Sequence, residues 1–196
     1  MSKVIVVNHV TLDGVMQGPG HPDEDTRDGF IHGGWAAPYG DAVLFEAMGL
    51  GNVSGGAMLF GRLTYEDLYH SWANRTDNPY SAVFENAQKY VASTTLTAPL
   101  PWVNSALLTG DVTDAVAQIK AQVNGDIVIL GSGALIQSLM PHNLIDEYLL
   151  PIYPLILGSG HHLFPDGCAL TKLKLISAQP TTTGVIIARY QPAESA

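Results

Sequence analysis

Three short segments combine glycine with hydroxyl or basic side chains in the way a phosphate-bearing ligand requires: Gly61-Arg62-Leu63-Thr64, Ser93-Thr94-Thr95 and Gly131-Ser132-Gly133. Glycine lets a backbone come close to a ligand, and Ser and Thr hydroxyls donate to phosphate oxygens. A helix starting just afterwards adds unbonded N–H groups and the positive end of its dipole. Arg62, directly after a glycine, suits a charge-assisted bond to phosphate, although a lone arginine is more often a surface residue. Singly, each segment also reads as an ordinary strand-to-helix turn. Gly131-Ser132-Gly133 lacks the third glycine of the dinucleotide fingerprint, whose place Ile136 takes. Together, the segments point to a ligand spread over several strand ends.

Proton transfer needs a group near a substrate, and Asp41 and Asp13 are the carboxylates placed for it. Each has a plain alternative: Asp41 as the N-cap of a helix and Asp13 as a turn former. Trp35, Tyr39 and Phe45 flank the same region and either stack on a flat ring or pack a core or lid. Thr64 followed by Asp67 resembles a helix-capping pair. His161 and His162 are neighbours on an extended segment and point to opposite sides, so they read as loop histidines and not as metal ligands. The acidic run Asp23, Glu24, Asp25 and Asp28 departs from a calcium loop because Arg27 takes a ligand position; it reads as a solvated lid.

The elements that must position these residues alternate. Val4 to Thr11 is a β-branched, apolar strand closed by Leu12-Asp13-Gly14, and a long polar loop runs from Val15 to about Pro38. Asp41 heads a helix that carries Val43, Leu44, Ala47 and Met48 and ends near Gly49 and Gly51. Strands are predicted at 57–60, 89–92, 103–108 and 126–130, with helices from 61 to 68, from Pro79, over 111–123 and over 134–140. Tyr148 to Leu157 holds Pro151 and Pro154, which predicts an edge strand or a bulge, and 172–177 with 185–190 form a terminal hairpin. The class is α/β: a mixed, mostly parallel central sheet with helices on both faces and a C-terminal antiparallel hairpin.

A chain of 196 residues without repeat or linker is read as a single domain, 1–196. Its net charge of −9 disfavours nucleic acid and anionic membrane as partners. The apolar stretch at the start is too short for a signal core or a membrane span. Cys168, alone, forms no internal disulfide and supplies no paired thiolates for zinc. The expected location is the cytoplasm.

Phe60-Gly61-Arg62-Leu63-Thr64-Tyr65-Glu66 resembles the Gly-Arg-x-Thr-x-Glu segment of the dihydrofolate-reductase superfamily, and nearly the whole chain follows that family's order. Thr11-Leu12-Asp13-Gly14 resembles the end of its first strand, Trp35-Ala36-Ala37-Pro38 its lead into the substrate helix, and Gly158 to Pro165 its Gly-x-x-His-x-Phe-Pro stretch. The Thr-Leu-Asp-Gly start and Leu144 to Ile152 are like the reductase domain of bifunctional riboflavin-biosynthesis deaminase-reductases. The resemblance implies a dihydrofolate-reductase-like fold binding NADPH, or NADH, through Gly61, Arg62, Thr64, Ser93, Thr94, Gly131, Ser132 and Gly133. Ala134 and Thr94 stand where relatives often carry basic residues, which leaves Arg62, with Lys89 as a substitute, to counter the cofactor phosphate.

Three functions are therefore open. The first is an NAD(P)H-dependent oxidoreductase that passes hydride to a C=N or C=O of a small polar or heterocyclic molecule. The second is a catalytically idle dinucleotide or small-ligand module, and the third a dimerisation scaffold. A homodimer is expected from the apolar strand over 148–157, on the premise that it is an exposed edge, and from the likeness to the riboflavin-branch reductases.

Overall fold

The computed structural model describes residues 2–48, 56–73, 75 and 79–193. Its contacts divide the chain into two compact units, one of Met1–Val6 with Leu50–Asp146 and one of Val7–Gly49 with Glu147–Ala196.

The first unit is a parallel sheet. Its strands are β1 (Val4–Val7, whose last residue falls in the second unit), β3 (Ala57–Gly61), β4 (Gln88–Ala92), β5 (Ser105–Leu107) and β6 (Ile127–Leu130), in the order β5-β4-β3-β6-β1. The apolar runs of β3 and β6 are almost wholly buried, as expected of strands with neighbours on both sides. Their connections are the helices α2 (Arg62–Trp72), α3 (Pro79–Asn86), α4 (Val112–Gln122) and α5 (Gly133–Leu139). Helix α4 starts because the Asp111 carboxylate accepts from the N–H groups of Thr113 (2.8 Å) and Asp114 (3.2 Å), and its stripe buries Val116 and Ile119. Register sets the site: Gly61 pairs with Ala92 and Leu59 with Ile129, so β3, β4 and β6 end level with one another.

The second unit holds β2 (Val10–Thr11), helix α1 (Ala42–Ala47), β7 (Glu147–Tyr153), β8 (Leu173–Pro180) and β9 (Ile186–Pro192). β7 runs parallel to β2 and antiparallel to β9, and β9 is antiparallel to β8. The Thr181–Gly184 turn joins β8 to β9, closed by the Thr181 N–H on the Val185 carbonyl at 2.8 Å. The mixed, mostly parallel sheet with its terminal antiparallel strands is the architecture expected from the sequence.

Several details differ. The strand expected over Val4 to Thr11 is interrupted at Asn8 and His9, whose polar side chains turn to partners of their own. β7 stops at Tyr153 and is not an edge, because Ile152 is paired at once with Val10 of β2 and Ile186 of β9; Pro151 stands inside the ladder opposite Ile187. The outer strand of this unit is β8, and it carries Leu175 and Ile176 exposed. Helix α2 begins at Arg62 with Gly61 as its N-cap, so Thr64 is not a capping residue. The end of α1 near Gly49 and Gly51 lies outside the described residues.

Candidate functional site

All eight residues expected to hold a cofactor lie in the first unit, just beyond the level ends of β3, β4 and β6. They brace one another. The Gly61 N–H donates to Ser132 Oγ (3.0 Å), the Ser132 hydroxyl donates to the Leu130 carbonyl (3.1 Å), and the Ser132 N–H donates to Thr64 Oγ1 (3.1 Å). Ser132 is therefore a clip between two strand ends, with its hydroxyl proton already used. Thr64 only accepts in this set, so its own proton is left to give.

Gly131 and Ser132 both adopt left-handed backbone, with φ of 55° and 59°. A Cβ on Gly131 would stand 3.3 Å from Thr64 Cγ2 and Oγ1, tighter than most contacts, so a side chain there would have to push Thr64 aside. Among the described residues no side chain caps helix α2, which leaves its first-turn N–H groups for solvent or a ligand. At the end of β4, Ser93 Oγ accepts from the N–H groups of Thr95 (3.1 Å) and Leu96 (3.0 Å), folding the chain back with Thr94 at the bend.

The cations are less free than the sequence suggests. Arg62 Nη1 lies 2.8 Å from Glu66 Oε2 one helical turn on, a partly exposed pair. Lys89 cannot substitute for it. Its side chain is fully buried, with Nζ donating to the carbonyls of Phe84 (2.5 Å) and Ala87 (2.9 Å) and standing 4.8 Å above the Trp102 ring. The alternation of β4 sends Lys89 inward, and burial pushes its pKa down to about 8.

The catalytic and pocket candidates lie in the second unit. Asp41 is the N-cap of α1: Oδ1 accepts from the Leu44 N–H (2.7 Å), and Oδ2 accepts from the N–H (2.7 Å) and hydroxyl (2.8 Å) of Thr182. The Leu44 bond first, and then those from Thr182, hold its carboxyl below the usual range. Asp13 accepts from the Thr11 hydroxyl (2.5 Å) and the N–H groups of Gly158 (2.7 Å) and Leu157 (3.1 Å). Partial desolvation pushes Asp13 up, but these donors outweigh it and its carboxyl is lowered. Both groups are thus anions that tie loops together, and neither keeps a proton to give at neutral pH.

Trp35 is buried, donates its indole N–H to the Gln17 carbonyl (2.7 Å) and meets Tyr153 edge-on with ring centres 5.0 Å apart; Tyr39 meets the same ring at 5.6 Å. Phe45 does not join them and is 56% exposed. Three residues that carry this region escaped the sequence reading: Gln17, His9 and Tyr153. Buried Gln17 donates to the carbonyls of Asp25 (3.3 Å) and Arg27 (3.1 Å) and accepts from the His161 N–H (2.9 Å), which makes it the hub of the long loop. His161 in turn bridges to Asp28 at 2.9 Å, and Arg27 pairs with Asp25. No group of metal-ligating side chains occurs among the described residues, and no helix among them is long and apolar enough to cross a membrane.

Residues 2–187 match the RibD C-terminal domain family. An uncharacterized Bacillus subtilis protein, YyaP, is 27% identical over 135 residues, covering 66% of this chain and 70% of its own. Among solved structures, a putative riboflavin biosynthesis protein from Shewanella sp. PV-4 superposes with a TM-score of 0.68 at 20% identity, covering 98% of this chain and 99% of that one. Dihydrofolate reductase from Enterococcus faecalis, solved with NADP(H), superposes with a TM-score of 0.57 at 14% identity, covering 98% and 97%. The chain therefore belongs to the RibD C-terminal domain family, a reductase-like family, and has the dihydrofolate-reductase-like fold.

Proposed function

We propose that the protein is an NAD(P)H-dependent reductase of a small polar or heterocyclic C=N or C=O compound, working in the cytoplasm as one dihydrofolate-reductase-like domain. The observation that carries this reading is the braced cluster of Gly61, Thr64, Gly131 and Ser132 at the level strand ends. It fits a dinucleotide phosphate: glycine at 131 keeps the turn clear of a side chain that would press on Thr64, α2 opens with N–H groups that no side chain caps among the described residues, and Thr64 has a hydroxyl proton to donate. Bound reduced nicotinamide would supply the hydride.

The protein's own residues bind and orient. Gly61, Gly131 and Gly133 admit the phosphates to the backbone, Thr64 donates to them, and Ser132 fixes the turn. Ser93 and Thr94 shape the strand end that receives the adenosine half. Arg62 reaches the phosphate by leaving or sharing Glu66. Asp41 and Asp13 hold the loops of the substrate side in place, and the proton comes from water. The protein pairs as a homodimer through the exposed apolar side chains of β8, since β7 is covered on both sides.

Calorimetric titration with NADPH, read beside quenching of tryptophan fluorescence, tests the reading. Binding is expected; no heat and no quenching at millimolar cofactor would remove it, together with the idle-module alternative.

A further inference from the structure

His9 stands at the break between β1 and β2, with Nδ1 2.6 Å from the Oη of Tyr153 and the two rings tilted at 5.5 Å. Tyr153 is 1% exposed and is the ring on which Trp35 and Tyr39 also rest. Burial pushes the imidazole down to about 4, so it is neutral at neutral pH, and burial pushes the Tyr153 phenol up, so it keeps its proton.

The buried phenol decides the tautomer. Its only hydrogen-bond partner among the described residues is His9 Nδ1, and a buried O–H without an acceptor is costly. Tyr153 therefore donates to Nδ1, and the single imidazole proton sits on Nε2. His9 is half-buried; Nε2 has no partner among the described residues and is not among the side-chain atoms sealed from solvent without one. The result is one N–H donor, fixed in direction and in tautomer, beside an aromatic cluster.

We infer that His9 is a substrate-contacting residue, giving its Nε2–H to the carbonyl oxygen or imine nitrogen of a flat ring bound beside Tyr39. This deepens the reductase reading and rests on it for the reaction. When hydride adds to the carbon of C=O or C=N, the π electron pair moves to the oxygen or nitrogen, and water supplies the proton that completes the product. A preorganised neutral donor at that atom stabilises the charge as it develops.

The test uses the full chain labelled with 15N-histidine, and 4-pyridone as a flat carbonyl probe, with benzene as a ring that offers no strong acceptor. Two-bond 1H–15N spectra should show His9 as the Nε2–H tautomer. Millimolar 4-pyridone should shift its Nε2 resonance, and benzene should not. His9→Leu should weaken 4-pyridone at least about tenfold, the loss of roughly one hydrogen bond, and His9→Gln, which keeps an N–H near the same place, should restore part of it. Tyr153→Phe, which keeps the ring, should let both tautomers appear. An Nδ1–H tautomer in the parent protein, or an Nε2 resonance unmoved by 4-pyridone, would overturn the inference. NADPH binding measured on the same samples separates the two readings: its absence beside a responsive His9 sinks the reductase reading alone, and its presence beside an unresponsive His9 sinks this one alone.

Discussion

At the strand ends of the first unit, hydroxyls and glycines brace one another and leave backbone N–H groups uncapped, whereas in the second unit the carboxylates Asp13 and Asp41 are themselves consumed in bracing loops. The difference follows from what each region is built on. Parallel strands in register deliver three turns to one level through backbone pairing, so the side chains that brace those turns can be small. A long loop has no such ladder, and its acidic and amide groups must supply the missing ties, as Gln17 does. A charged residue in a loop is therefore a weaker sign of catalysis than a glycine-hydroxyl pair at a strand end.

Lys89 is a charge used in bracing inside the first unit as well. Lys89→Ala should cost about 3 kcal/mol in urea denaturation, through the cavity and the two carbonyls left unpaired. Its lowered pKa sets the sign of the pH effect. Between about pH 8 and 10.5 the unfolded chain holds a proton on this lysine that the folded chain has lost, so stability rises with pH across that window. The rise should be smaller in Lys89→Ala; an unchanged slope would show that Lys89 is not desolvated.

Gly131→Val places a β-branched residue at φ 55° against Thr64, and should cost about 2 kcal/mol of stability and at least about tenfold in NADPH affinity. Normal NADPH binding by the folded variant would remove this turn from the cofactor site.

Much of this was legible in advance. The apolar runs of β3 and β6 and the Asp111-capped stripe of α4 announce themselves because burial on two faces and on one face leave different patterns. The level strand ends follow once the sheet is parallel. Other features depend on partners far away in sequence. The His9–Tyr153 bond spans 144 residues, and Asp41 meets Thr182 across 141. β7 looks like an edge from its prolines alone, but β2, only two residues long, covers part of it. The Arg62–Glu66 pair has the spacing of four that brings two side chains together on a helix, and both residues also belong to the Gly-Arg-x-Thr-x-Glu segment.

The Arg62–Glu66 pair should also set cofactor preference. Glu66→Gln should release Arg62 and tighten NADPH more than NADH, while Arg62→Ala should weaken NADPH by about tenfold and NADH less. Equal changes for both cofactors, read by calorimetry, would show that Arg62 does not meet the extra phosphate.

The smallest effect on cofactor is expected in the second unit. Asp41→Asn keeps an acceptor for Leu44 but turns an N–H against the donors of Thr182, so thermal unfolding should come earlier while NADPH affinity stays unchanged. Unchanged melting with loss of turnover on an identified substrate would return Asp41 to a catalytic role.

Whether the braced strand ends hold a nicotinamide dinucleotide is decided by one paired titration: NADPH into the parent protein and into Gly131→Val, both shown by circular dichroism to be folded. Saturable heat in the parent, weakened at least about tenfold in the variant, is the predicted result. No heat in either, or the same affinity in both, would contradict it.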